Sequence, residues 1–452
     1  MTAIHPDARA RFDTLAADLF IGLSSDRPVT DDSSSSTFVP DHDIAGTFTD
    51  DDLLGTFRQS QSDADGHEIS CLAGTKEGFV AFHGNSHQKL IELTQSIQRT
   101  PTMRDSVSPD TIKTWIIDWA LARRITGGIE PLMERLLLNR DAAIASYKFL
   151  IPLDQPFIEE SFSLGSVLFT PLLRDDIEKW FATPSPVREG LPARTEQVFA
   201  ARRQHLFGRT AAVITLQAER TYAAEIAIEK ATLAAALLRL VSKGIFSPTT
   251  RSNCVLLGYE IAERQQFIEF KNDEFVGMSE SIVAPESIDR WILDRRMIAQ
   301  DLRYWTLLAE LLEAQSPSAF ERDLLAAILL YSRVALSREV SEKLIHLFAA
   351  LESVLLRNES EPIQSAISER LAFVVGRRPE ERAQIAQLVK SVYGLRSRFV
   401  HHGVASASQK ERGAVKELLL HVWKFFFQLT LAKTQYQTRD LFLDDLEKRK
   451  WQ

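Results

Sequence analysis

The sequence predicts an α+β N-terminal region followed by an all-α helical bundle. Three observations carry this. His67-Glu-Ile-Ser-Cys-Leu-Ala73, the turn Gly74-Thr-Lys-Glu-Gly78 and Phe79-Val-Ala-Phe-His83 read as strand, turn and strand. A helix rich in Ala and Leu, Ala218 to Val241, lies between a strand candidate at Arg209–Leu216 and a strand pair between Asn253 and Val283. From Ser287 onward apolar residues recur at three- and four-residue steps, most clearly Ile385, Leu388, Val392, Leu395 and Phe399.

The elements follow in order. Residues 8–23 form an amphipathic helix with Phe12, Leu15 and Leu19 on one side. Residues 24–66 hold ten Asp, two Arg and no Lys, which reads as a flexible acidic segment or a long loop edge. Such a run is a solvated linker, a mimic of nucleic acid or a cover for a basic site. Helices are expected over 110–139, interrupted at Gly127-Gly128. Strands follow at Ala145–Pro152 and Ile158–Phe169, then a short helix near Leu172–Phe181 and the loop Thr183-Pro-Ser-Pro-Val187. A join between two small domains is conceivable near residue 105.

In the C-terminal part, helices are expected at Phe320–Leu336, Val340–Leu356, Pro362–Val375, from Pro379, and over 409–434. Phe425 and Phe426 in the last of these read as core or as a dimer face, and the tail from Thr438 as frayed. The expected organisation is 1–66 helix and acidic segment, 67–286 sensing or binding region, 287–440 bundle, and 441–452 tail.

The chain has 452 residues, enough for about three ordinary domains, and its 45% hydrophobic and 25% charged content is that of a globular protein. A net charge of −8 argues against coating nucleic acid through the overall field but leaves room for a local basic site. Two cysteines, Cys71 and Cys254, make no disulfide framework, and a reducing cytoplasm is the expected setting. No signal peptide and no run long enough to span a bilayer is legible. His67, Cys71, His83 and His87 are near one another in sequence, but their spacing matches no ordinary metal motif, so no metal and no cofactor is expected. Residues 67–285 show no phosphate-binding glycine loop and no Ser-His-Asp signature.

The stretch that bears chemistry is Tyr393-Gly-Leu-Arg-Ser-Arg-Phe-Val-His-His-Gly403. Arginine offers a fork of donors suited to phosphate oxygens, and histidine side chains exchange protons near neutral pH. Together they can cleave RNA, one taking the 2′-hydroxyl proton and the other neutralising charge on the phosphate. Arg396 and His401 point about 140° apart on an ideal helix, so they converge only where the helix ends or bends; Gly403 offers an end. The alternative is that Arg398 and His402 are solvated neighbours one turn apart. Residues 370–412 hold nine Arg or Lys against three Glu. That suits a phosphate-binding surface or simply solvated helix faces.

Leu347-Phe-Ala-Ala-Leu-Glu-Ser-Val-Leu355, Ile367-Ser-Glu-Arg-Leu-Ala-Phe-Val-Val375 and Val392-Tyr-Gly-Leu-Arg-Ser-Arg-Phe-Val-His-His-Gly403 together resemble the HEPN superfamily, most closely its Apea-like branch. The resemblance covers roughly 320–435. It implies an antiparallel helical bundle that dimerises and a metal-independent endoribonuclease in anti-phage or stress defence, with RNA as partner and a trigger acting on the N-terminal region. Arg396 and His401 match the motif ends. Ser397 takes the variable polar position, often Asn in the superfamily, and His402 is a second candidate. Arg377, Arg378, Lys390 and Arg398 are the expected RNA contacts, with Glu352 and Arg370 as a supporting pair. A non-catalytic module that binds nucleotide or RNA, or only dimerises, is the other reading of the same resemblance.

Overall fold

The computed structural model describes residues 4–21, 23, 56–128, 130–182, 205–258, 264–271, 274–282, 288–289, 291–402 and 406–449. The fold is α+β in its N-terminal half and helical towards the C-terminus. Two compact units divide it: residues 1–148 with 215–227, and residues 149–214 with 228–452.

The first unit begins with α1 (Pro6–Ile21), followed by a three-stranded antiparallel sheet of β1 (Phe57–Ser62), β2 (Glu68–Thr75) and β3 (Gly78–His83). Against it pack α2 (Asn85–Gln98) and α3 (Pro109–Thr126), and α4 (Leu132–Ala143) packs on α1 and α3 within the same core. The hairpin expected at 67–83 is present, in the register Ser70 opposite His83 through Thr75 opposite Gly78. Helix α3 starts where Ser108 accepts a hydrogen bond from the Thr111 amide, with Pro109 in the first turn. It stops at Gly127, whose φ of 65° is the left-handed conformation that glycine adopts without strain. Phe82, Leu90, Ile97, Met103, Ile112 and Leu132 fill the core.

The segment read as flexible is shorter than expected, since β1 is a strand paired with β2 from Phe57 to Ser62. Its sequence, FRQSQS, is polar and outward-facing, so no apolar alternation marks it; backbone pairing with β2 holds it. The rest of the acidic run, 24–55, and the 183–187 loop lie outside the described residues.

The division between units passes through β4 (Ala145–Pro152), β8 (Thr210–Ala218) and α6 (Arg220–Leu238). Within the four-stranded sheet the order is β4, β8, β7 (Val167–Pro171), β6 (Phe162–Leu164), and α5 (Arg174–Ala182) follows β7. The strand expected over 158–169 is three short ones, because β5 (Phe157–Ile158) turns away to pair in parallel with β13 (Ile292–Leu293). A short helix, α7 (Lys243–Phe246), precedes β9 (Arg251–Ser252); β10 (Arg264–Lys271) and β11 (Glu274–Ile282) form the expected hairpin, and β12 (Ile288–Asp289) pairs with β9.

The helices of the second unit are α8 (Arg295–Leu312), α9 (Ala319–Ser332), α10 (Val340–Leu355), α11 (Ile363–Val375), α12 (Pro379–His402), α13 (Gln409–Leu431) and α14 (Arg439–Arg449). Ser318 with Glu321 and Ser408 with Glu411 form reciprocal capping boxes at the starts of α9 and α13. The α12 seam is Ile385, Val389, Val392, Leu395 and Phe399, all buried, while Leu388, expected in it, is only half-buried. Phe425 and Phe426 are fully buried in the chain's own core, where Phe426 stacks on Tyr331 at 5.0 Å, so they present no dimer face. The expected frayed tail is instead α14, which buries Phe442, Leu443 and Leu446. Those apolar positions outweigh the mixed charge around them.

One close approach shapes this unit. Lys343 on α10 is fully buried and donates to the carbonyls of Gly244 and Val334 at 2.8 and 2.7 Å. A Cβ at Gly244 would lie 2.7 Å from the Ser252 amide nitrogen and 2.9 Å from the Ala335 carbonyl oxygen, so the backbones meet only with glycine there.

Candidate functional site

The expected site lies on the last turns of α12 and the facing turns of α10. Phe348 and Glu352 are one turn apart on α10, and Tyr393 and Arg396 are three apart on α12. Phe348 meets the Tyr393 ring edge to face at 5.0 Å. The Arg396 guanidinium sits over the Tyr393 ring, 5.8 Å from its centre. Glu352 is half-buried. Burial pushes its carboxyl pKa up, and the nearby charge of Arg396 offsets part of that rise. Arg396 is itself half-buried, and its Nε has no hydrogen-bond partner among the described residues. A buried donor of this kind is costly to leave unmade.

The helix runs unbroken to His402, so it neither ends nor bends between Arg396 and His401. The two side chains therefore leave α12 about 140° apart, Arg396 half-buried and His401 exposed. Ser397 shares the His401 side of the helix, one turn away. The His402 side chain and Gly403 lie outside the described residues.

The supporting pair is not the expected one. Arg370 is buried and binds Glu361 through two hydrogen bonds of 2.7 and 2.9 Å, as well as the Leu355 carbonyl and, at 3.8 Å, Glu447. It thereby ties the loop after α10 to α11 and does not reach Glu352. The side-chain hydrogen bonds from Arg370 hold the Glu361 carboxyl down at about 2 despite some desolvation. Nothing in the spacing points to Glu361, which stands outside any helix; Tyr393 was visible only as part of the motif stretch.

The expected RNA contacts do not form one patch. Arg398 is ion-paired with Glu411, whose carboxyl is held down at about 2 by the Ser408 amide first and Arg398 next. Arg377 and Arg378 are exposed but precede the first turn of α12, roughly 26 Å from Arg396 at 1.5 Å per residue. Lys390 is exposed about two turns before Arg396, on another side of the helix. Arg382 donates to the Gly376 carbonyl at 3.0 Å and covers Phe373. Arg370, Arg382 and Arg398 are thus engaged within the chain, and the local basic surface is smaller than the count suggests.

No protein-family model, no curated protein and no solved structure matches the chain. Among the described residues no helix is long and apolar enough to cross a membrane.

Proposed function

We propose that the C-terminal helical part is a HEPN-like module that binds RNA at Arg396 and cleaves it. The observation that carries this reading is Arg396 itself: a half-buried guanidinium over the Tyr393 ring, near enough to Glu352 for its charge to act on that carboxyl, with Nε unpartnered among the described residues. A phosphate oxygen supplies the missing acceptor. In the reaction, the ribose 2′-hydroxyl attacks the neighbouring phosphorus. His401 takes the hydroxyl proton or delivers one to the leaving 5′-oxygen, and Arg396 stabilises the pentacovalent phosphate. The products are a 2′,3′-cyclic phosphate and a 5′-hydroxyl end. Ser397 lies beside His401 to position the ribose, and Glu352 orients the guanidinium. The divergence of Arg396 and His401 within one chain gives a two-fold dimer a direct role, since the histidine of a second copy can complete the site.

The same divergence favours a second reading, in which the module binds RNA or nucleotide phosphate and does not cut. Incubating the purified full chain with total RNA in EDTA separates them. Cleavage that disappears in both Arg396→Ala and His401→Ala supports the nuclease. RNA binding that Arg396→Ala alone removes, with no cleavage in the parent, supports the binding module. Cleavage abolished by EDTA and restored by magnesium rejects the proposed mechanism.

A further inference from the structure

The first unit holds a second cluster of chemically active side chains. In a regular strand Glu68 would lie on the same face of β2 as Ser70, away from Cys71. The register rules that out. Ser70 lies opposite Gln61 and Glu68 opposite Ser62, so Ile69 is an extra residue, a β-bulge. The bulge leaves Ile69 44% exposed and turns Glu68 onto the face of Cys71. His87 reaches the same point from α2, where it continues the core-facing stripe of Leu90, Thr94 and Ile97. One ligand atom from each of Glu68, Cys71 and His87 lies within 4.8 Å of the others. His87 Nε2 is already 3.0 Å from Glu68 Oε1, and both His87 and Cys71 are more than nine-tenths buried.

We propose that Glu68, Cys71 and His87 bind a divalent metal ion of the zinc class, with one coordination position left for water or a further ligand. A thiolate, an imidazole and a carboxylate are the donor types that such an ion takes. Tetrahedral coordination places donors roughly 3.3–3.6 Å apart, so the cluster closes on an ion through small side-chain movements.

Lys113 explains how the cluster is balanced without an ion. Its ammonium lies 3.3 and 3.2 Å from the two oxygens of Glu68 and 3.7 Å from Asp110, one turn earlier on α3. Burial pushes the Glu68 carboxyl up, but hydrogen bonds from His87 and Lys113 outweigh it and hold the group below its ordinary value. A metal ion replaces Lys113 at Glu68. Cys71 loses its thiol proton to solvent, so thiolate and carboxylate together match the double positive charge, and Lys113 keeps its proton and pairs with Asp110. Sequence spacing hid the site because only the bulge makes Glu68 a neighbour of Cys71.

The test uses the full chain, stripped by chelator and titrated with cobalt(II), then with zinc against a chromophoric competitor. One equivalent of cobalt should bind with a thiolate charge-transfer band in the near ultraviolet, and Cys71→Ser should lose that band. His87→Gln should weaken zinc binding by at least about tenfold. Lys113→Met, which removes the competing ammonium, should tighten zinc binding. A parent chain that shows no charge-transfer band in excess cobalt would overturn the proposal. So would a Lys113→Met variant that binds zinc no more tightly, and these two readouts decide the matter even if Cys71→Ser fails to fold.

Discussion

Replacing Arg370 with Met should destabilise the helical unit by about 3 kcal/mol at pH 7 while leaving cleavage per folded molecule unchanged. The magnitude follows from what Arg370 holds. A carboxyl that titrates at about 2 instead of 4.5, through Arg370 first and through the Arg357 amide and charge as well, corresponds to roughly 3 kcal/mol in all at 1.36 kcal/mol per pH unit. The Glu361 side chain is 19% exposed, and solvent screening together with the part that Arg357 supplies leaves about 2 kcal/mol for Arg370. The hydrogen bond to the buried Leu355 carbonyl adds about 1 kcal/mol. Because the folded-state pKa of Glu361 lies below the unfolded one, its share is complete above about pH 5 and is lost as the pH falls towards 2. Urea unfolding of the parent and Arg370→Met, followed by circular dichroism at pH 7 and pH 3, reads the difference directly. The gap should shrink by about half or more of the Glu361 share at pH 3. An equal gap at both pH values would refute the ion-pair reasoning. Lost cleavage with unchanged stability would return Arg370 to the reaction.

Arg396→Ala and His401→Ala should each lower cleavage roughly a hundred- to thousand-fold with the melting temperature nearly unchanged, and Arg396→Lys should rescue poorly because a point charge lacks the planar fork; parallel cleavage and melting curves check this. Gly244→Ala should cost about 1–3 kcal/mol, since its methyl would press on the backbone of Ser252 and Ala335; a melting temperature equal to the parent's would count against the close approach. Burial pulls the Lys343 pKa down to about 7, so the unfolded chain holds the extra proton between pH 7 and the ordinary lysine range. Parent stability relative to Lys343→Met should therefore rise by roughly 1 kcal/mol per pH unit from pH 7.5 to 9, and a flat difference would show that the ammonium stays charged in the fold.

Much of the fold is legible because periodicity and punctuation agree. The 67–83 hairpin alternates around a glycine-bounded turn, α3 carries Ser108 and Pro109 at its start and Gly127 at its end, and α12 repeats its seam over about four turns. What escapes reading has specific causes. β1 is polar at nearly every position, and only its partner strand makes it a strand. The apolar residues of α14 are few enough for the surrounding charge to mask them. At the candidate site the motif residues and Glu352 were visible, but which residue pairs with which was not. Arg370 finds Glu361 across a helix start, Arg398 finds Glu411 beyond a loop, and the charge of Arg396 acts on Glu352 from another helix. Such pairings depend on how helices pack, which residue spacing does not encode.

The first compact unit is entered by the chain twice. Residues 215–227 belong to it although the flanking chain belongs to the second unit. The return is anchored: the Glu219 amide donates to the Ser106 carbonyl at 2.8 Å, and the Glu219 carboxylate accepts from the amides of Thr221 and Tyr222 at the start of α6. No single break in the gene can therefore separate the two units. A truncation after residue 148 discards part of the first unit, and one that begins at 149 carries a fragment of it along. Exchanging the first unit whole would need three crossovers, at 148/149, 214/215 and 227/228.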